Sequence, residues 1–280
     1  MQQTDKQQIM LLLQMNRLDE AKSAGLDLCK RNPGDAEAWF MLGALCERLG
    51  QYAEAEQYCR KTVKLQPRNA GAQYNYGIVL NHLGKFDKAV RSFRKAIELQ
   101  PGLVSAHIQL GIILQRTGQP DAALEYLQHA LKLLPTPDGN QSPGVDPVTA
   151  KVYFYTGNAH FDRGSLDNAS ECYRQSLRLN PNDVEAYNNL GNTLKALGRP
   201  DAAISEYRTA INIDPMYAAA YINLGIALRD MRELDEALVA IKKAVQLNNE
   251  MAESHHNLAN VLQDLHRHSE AEAAYRRALE

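Results

Sequence analysis

A glycine returns every 34 residues over most of this chain, at Gly43, Gly77 and Gly111 and then, in a shifted register, at Gly157, Gly191 and Gly225. A fixed period of that length is the mark of a stacked repeat, in which each unit covers an apolar face of its neighbour. The best-preserved unit, residues 184–217, holds Tyr187, Leu190, Gly191 and Leu194, then Gly198, Ala203, Tyr207, Ala210 and Pro215. With Val184 as position one, positions four, seven, eight and eleven fall within about 100° on one face of a helix. Glycine at position fifteen suits a left-handed residue that ends a first helix, and the proline near the end stops a second. Each unit is therefore expected to be two antiparallel helices of about three turns. Small residues at positions eight, twenty and twenty-seven let the two backbones approach, while bulky ones at four, seven, eleven and twenty-four fill the space around them.

Laid out on this frame, residues 36–137 form three units and residues 150–280 form four, the last truncated. Between them, residues 138–149 read DGNQSPGVDPVT, a Gly, Pro, Asp and Asn-rich stretch expected to be an inserted loop. Residues 1–35 are expected to be a degenerate terminal repeat, or cap. Ala21 and Pro33 keep their places there, but Ile9 replaces the glycine and Gly25 the aromatic residue. Arg232 stands where other units have the turn glycine, and Asn249 where they have proline.

Charge and cysteine content narrow the function classes. Thirty-one Lys and Arg against 33 Asp and Glu leave a net charge of −2, which gives no drive toward nucleic acid or a membrane surface. The apolar run at residues 9–13 is too short to span a membrane and lacks the basic flank and cleavage site of a secretory signal. Cys29, Cys46, Cys59 and Cys172 form no CxxC, and Cys46 and Cys59 occupy core positions, so buried free thiols and a reducing, cytoplasmic setting are expected. No phosphate-binding glycine loop, HExxH or nucleophile elbow occurs, so no catalytic residue is assigned. His255, His256, His266 and His268 cluster in the last unit, but His255 takes a core aromatic position and His266 and His268 lie at the turn. Neither a metal site nor a cofactor is expected.

Trp39-x-x-Leu42-Gly43, followed by Ala55 and Pro67 and repeated in frame over residues 36–280, resembles the tetratricopeptide repeat. The resemblance implies an all-α fold, a right-handed superhelical α-solenoid of antiparallel helix pairs whose first helices line a concave groove. The groove face is expected at positions two, five, six, nine, twelve and thirteen, about 80° to 200° round from position four. Asn75, Gln109, Asn189, Asn223 and Asn257 stand at position six, Asn158, Asn192 and Asn260 at position nine, and Tyr74 and Asn188 at position five. An asparagine amide can pair with the backbone of an extended peptide whatever its sequence. Spaced once per unit, Asn189, Asn223 and Asn257 would form a ladder similar to that in the repeat domain of O-linked N-acetylglucosamine transferases. Alternatively, these amides bridge adjacent first helices. The carboxylate clamp of chaperone-binding members is missing, since no clear unit has Lys at position five. The expected function is a non-catalytic scaffold that binds a protein or peptide segment. The competing reading is the substrate-recognition arm of a larger enzyme, a glycosyltransferase or sulfotransferase whose catalytic domain follows residue 280. Self-association through the last repeat is a third reading.

Overall fold

The computed structural model describes residues 2–134, 146–248 and 250–279. Among them every regular element is an α-helix, and the chain divides into two compact units, Met1–Pro135 and Thr136–Glu280.

The first unit comprises α1 (Gln2–Gln14), α2 (Leu18–Arg31), α3 (Ala36–Arg48), α4 (Tyr52–Leu65), α5 (Ala70–His82), α6 (Phe86–Leu99), α7 (Val104–Arg116) and α8 (Pro120–Leu133). The second comprises α9 (Pro147–Asp162), α10 (Leu166–Leu179), α11 (Val184–Ala196), α12 (Pro200–Ile213), α13 (Ala218–Asp230), α14 (Leu234–Leu247), α15 (Ala252–Asp264) and α16 (His268–Leu279). Within each unit an odd-numbered helix packs on the even-numbered helix after it, and that helix packs on the next odd-numbered one. Successive first helices also touch: α3 meets α5 and α5 meets α7 in the first unit, and α9, α11, α13 and α15 touch in turn in the second. This is an α-solenoid of helical hairpins.

The small residues act as the spacing implies. A methyl group built on Gly191 would lie 2.4 Å from the Tyr207 ring, and one on Gly77 would lie 2.7 Å from Phe93. Position eight is glycine because position twenty-four fills its space. The α1–α2 hairpin inverts the sizes: Ile9, 2% exposed, stands at position eight and Gly25 at position twenty-four, so bulk is supplied from the other helix.

The first helices stop where the frame requires. Gly50, Gly84, Gly118, Gly164 and Gly198 all have φ between +70° and +79°, the left-handed conformation that turns the chain into its second helix. Asn16, Arg232 and His266 hold the same place in their hairpins at φ of 56°, 66° and 60° without glycine. At the other end, Asp35, Asn69 and Asp183 accept backbone N–H bonds from the first turns of α3, α5 and α11.

One boundary differs from expectation. α9 begins at Pro147, so residues 147–149 belong to a helix rather than to a loop. Asp146 makes the earlier start, accepting from Val148 N and Thr149 N at 3.1 Å each, and proline suits the first helical position. The remainder of the expected loop, residues 138–145, lies outside the described residues, as does Asn249.

Candidate peptide-binding face

On the first helices of the second unit, positions six and nine supply the partly exposed polar side chains of the expected face. Tyr155, Asn189, Asn223 and Asn257 at position six are all partly exposed, as are Asn158, Asn192 and Asn260 at position nine. Position five is interior in four hairpins and exposed at His256 in the last. Ile108, Phe154 and Ile222 are 7%, 8% and 3% exposed, and Asn188 is 5% exposed. The expectation that Asn188 lines an open face is thereby corrected, because the neighbouring first helix covers position five. Tyr74 is partly buried, and burial pushes its hydroxyl pKa up.

The position-nine amides have internal partners. The hydroxyls of Tyr173, Tyr207 and Tyr275 donate to the Oδ1 atoms of Asn158, Asn192 and Asn260 at 2.6, 2.7 and 2.7 Å. Each tyrosine stands at position twenty-four, 15 residues after its asparagine. The sequence carries this pairing openly. The other units have Cys59, Phe93, Leu127 and Ile241 at position twenty-four, and Ala44, Ile78, Ile112 and Ile226 at position nine. Asparagine appears only where position twenty-four is tyrosine, and for the buried Tyr173 and Tyr207 it supplies the acceptor that a buried hydroxyl needs, a requirement of the core rather than of a ligand. Reading position nine alone misses it.

The position-six amides are tied more loosely. Asn189 Nδ2 donates to Asn158 Oδ1 at 3.1 Å, and Asn223 Nδ2 donates to Asn188 Oδ1 at 2.8 Å. These bonds link α11 to α9 and α13 to α11, so the amides do bridge neighbouring first helices. Each still has capacity left, since a primary amide offers two N–H bonds and an oxygen that accepts twice. Asn257 makes no side-chain hydrogen bond within the described residues and keeps its whole amide free. The same holds for Asn75 and Gln109 on α5 and α7. Arg229 Nε donates to Asp264 Oδ2 at 2.5 Å and ties α13 to α15 beside this row. Its partners come from positions twelve and thirteen of successive units, a link that inspection of either unit alone does not show.

The cysteine thiols are held in the protonated form. Desolvation pushes the thiols of Cys29 and Cys59 up to about 12 and that of Cys172 up to about 11, the reverse of an activated cysteine. All four cysteines are free. Burial lowers the pKa of both His107 and His160. No helix among the described residues is long and apolar enough to cross a membrane.

Tetratricopeptide repeat family models match residues 7–70 and 68–136, and the model of the cilia and flagella-associated protein 70 C-terminal domain matches residues 137–280, just over half of the chain. The chain belongs to this tetratricopeptide repeat family. No curated protein matches it. Among solved structures it is similar to MamA, with 28% identity, 62% of this chain and 94% of that chain covered, and a TM-score of 0.54. A tetratricopeptide repeat protein from Parabacteroides merdae is 13% identical over 100% of this chain and 99% of its own, with a TM-score of 0.67. YrrB, described as a tetratricopeptide repeat protein with an unusual peptide-binding site, is 20% identical over 71% of this chain and 96% of its own, at a TM-score of 0.55.

Proposed function

We propose that the protein is a non-catalytic scaffold that binds an extended peptide along the first-helix face of its second unit. The observation that carries this reading is the row of partly exposed amides at Asn189, Asn223 and Asn257, one per first helix, with the first two held in place by Asn158 and Asn188. Amides already oriented by their neighbours lose little further freedom on binding a peptide backbone. Asn257 is the strongest contact candidate because none of its hydrogen-bonding capacity is used among the described residues. The tyrosine-bound amides Asn158, Asn192 and Asn260 serve this face by shaping it, and their N–H groups remain available to a ligand.

The test is recovery of bound proteins with the whole chain as bait, beside the triple variant Asn189→Ala, Asn223→Ala and Asn257→Ala. The expected outcome is loss of the recovered partners with a melting temperature within a few degrees of the parent. Asn257→Ala alone should leave melting unchanged and weaken binding measurably. Equal loss of stability and of binding in the triple variant would make the amides structural and end the proposal.

A further inference from the structure

A cavity of about 470 Å³ lies on the opposite side of α13 from the amide row. α12 and α14 form its walls and α13 its floor, with Ile211, Tyr221, Leu224, Leu228, Val239 and Ala240 supplying the apolar lining. Tyr221, Leu224 and Leu228 occupy positions four, seven and eleven, roughly 160° round the helix from positions six and nine. Nothing that binds the amide face would reach it.

Two other hairpins show what can fill such a hollow. At position twenty-three the α3–α4 hairpin has Tyr58 and the α7–α8 hairpin has Tyr126. Each ring lies against the ring at position four of its own hairpin, Tyr58 on Trp39 at 5.6 Å between centroids and Tyr126 on His107 at 6.0 Å. In the α13–α14 hairpin position twenty-three is Ala240, and Tyr221 at position four has no ring beside it among the described residues. Two hairpins fill this place with an aromatic ring, Ser92, Cys172, Glu206 and Ala274 hold it in four others, and the α13–α14 hairpin leaves it open above an apolar floor. The rim carries a second departure. Val239 is 71% exposed, whereas the equivalent residues of the other full units are Gln57, Arg91, Glu125, Glu171 and Ser205. An exposed valine beside an apolar hollow extends the surface available to an apolar ligand.

Charge at the rim selects further. Arg208 Nη2 and Glu236 Oε2 pair across it at 2.7 Å, with side chains 52% and 63% exposed, so the pair opens at little cost. Lys243 has no ion-pair partner among the described residues. Two cations and one carboxylate leave the rim positive.

We propose that this cavity is a second binding site, separate from the amide face, that takes an aromatic side chain carried on an acidic segment of a partner protein. The incoming ring stacks on Tyr221 over the floor of Leu224 and Leu228, taking the place that Tyr58 and Tyr126 take in their own hairpins. A carboxylate on either side of the ring meets Lys243 and competes with Glu236 for Arg208.

The test uses the full chain and a fluorescein-labelled peptide, Gly-Glu-Glu-Phe-Glu-Glu-Gly, followed by anisotropy and by methyl NMR of Leu224, Leu228 and Val239. Binding should shift those methyls and fall about tenfold or more when the peptide Phe is replaced by Ala, as expected for removal of a buried ring. Ala240→Tyr supplies the missing ring from within and should abolish binding while holding or raising the melting temperature. Val239→Glu, at an exposed position, covers the case in which Ala240→Tyr does not fold, and should also abolish binding. Lys243→Glu should weaken binding several-fold, and the triple amide variant should leave it unchanged. No methyl shift at millimolar peptide, or equal binding by the Phe→Ala peptide or by Val239→Glu, would overturn the proposal.

Discussion

At the scale of single residues, the size and polarity of position twenty-four govern two other positions. Tyr207 is fully buried, its ring excludes any side chain at Gly191, and its hydroxyl requires Asn192. Tyr207→Phe should therefore destabilise the chain by about 1 kcal/mol, measured by thermal or urea unfolding, because the Asn192 oxygen loses its donor. Gly191→Ala meets a ring held at both ends, and its overpacking cost of about 1–3 kcal/mol should exceed the helix-propensity gain of about 1. Gly225→Ala meets the flexible end of Ile241 instead, 2.4 Å from its Cδ1, and should cost less than Gly191→Ala in the same assay. His107 adds a pH response. It is 4% exposed, burial holds its pKa below the ordinary histidine value, and the nearby His129 pushes the same way against the bond to the Pro101 carbonyl. With the folded pKa below the unfolded one, the unfolded chain takes up the proton first. Stability is full above about pH 6.5 and falls as the pH drops through the folded pKa of His107. His160 contributes with the same sign. Melting followed from pH 7.5 to 5 in buffers at about constant ionic strength should show a smaller decline in His107→Gln, the residue type that Gln73 supplies at the same position of another unit.

At the scale of the helix, start and stop signals set register more firmly than the apolar stripe does. Five glycines and three other residues take one left-handed conformation at the same step of the repeat. Arg232 carries the steric cost of that conformation without a glycine. Arg232→Gly should raise stability by about 0.5–1 kcal/mol, and Gly198→Ala should lower it by a similar amount. Both are read from urea midpoints at unchanged slope. The early start of α9 shows the same control from the other end. Asp146 and Pro147 form a cap and a first turn whose signal lies in the residues themselves, yet the Gly and Pro-rich run before them makes the whole segment read as loop. Cap chemistry here outweighed composition.

At the scale of the molecule, each unit holds four hairpins, enough for stacked repeats to bury a continuous core without help. In the second unit that core runs from Phe154 through Tyr173, Leu190, Tyr207 and Leu228 to Leu262 and Ala274. In the first it begins at Ile9 and Leu28 and includes Leu42, Cys46 and Val79. Residues 1–134 and 146–280 expressed separately should each be helical by circular dichroism and melt cooperatively. A piece that stays unfolded would show that its core depends on the other. Because neighbouring hairpins share their cores, destabilising substitutions in adjacent hairpins should combine non-additively, while those several hairpins apart within a unit should add.

The 34-residue period, the helix pairs, the glycine turns and the small-against-large packing were all determined by the sequence alone. They repeat because each depends on residues within one unit, and local spacing at 3.6 residues per turn records them directly. The tyrosine–asparagine pairs were equally legible, since both members lie in one unit and change together. Tertiary structure decided which polar groups remain free. Whether Asn188 is buried, whether Asn189 and Asn223 already have partners, and whether Tyr221 has a ring beside it depend on side chains from neighbouring hairpins or on what the facing helix happens to supply. A helical period places a side chain on a face, but only the packed neighbours determine whether that face is a surface.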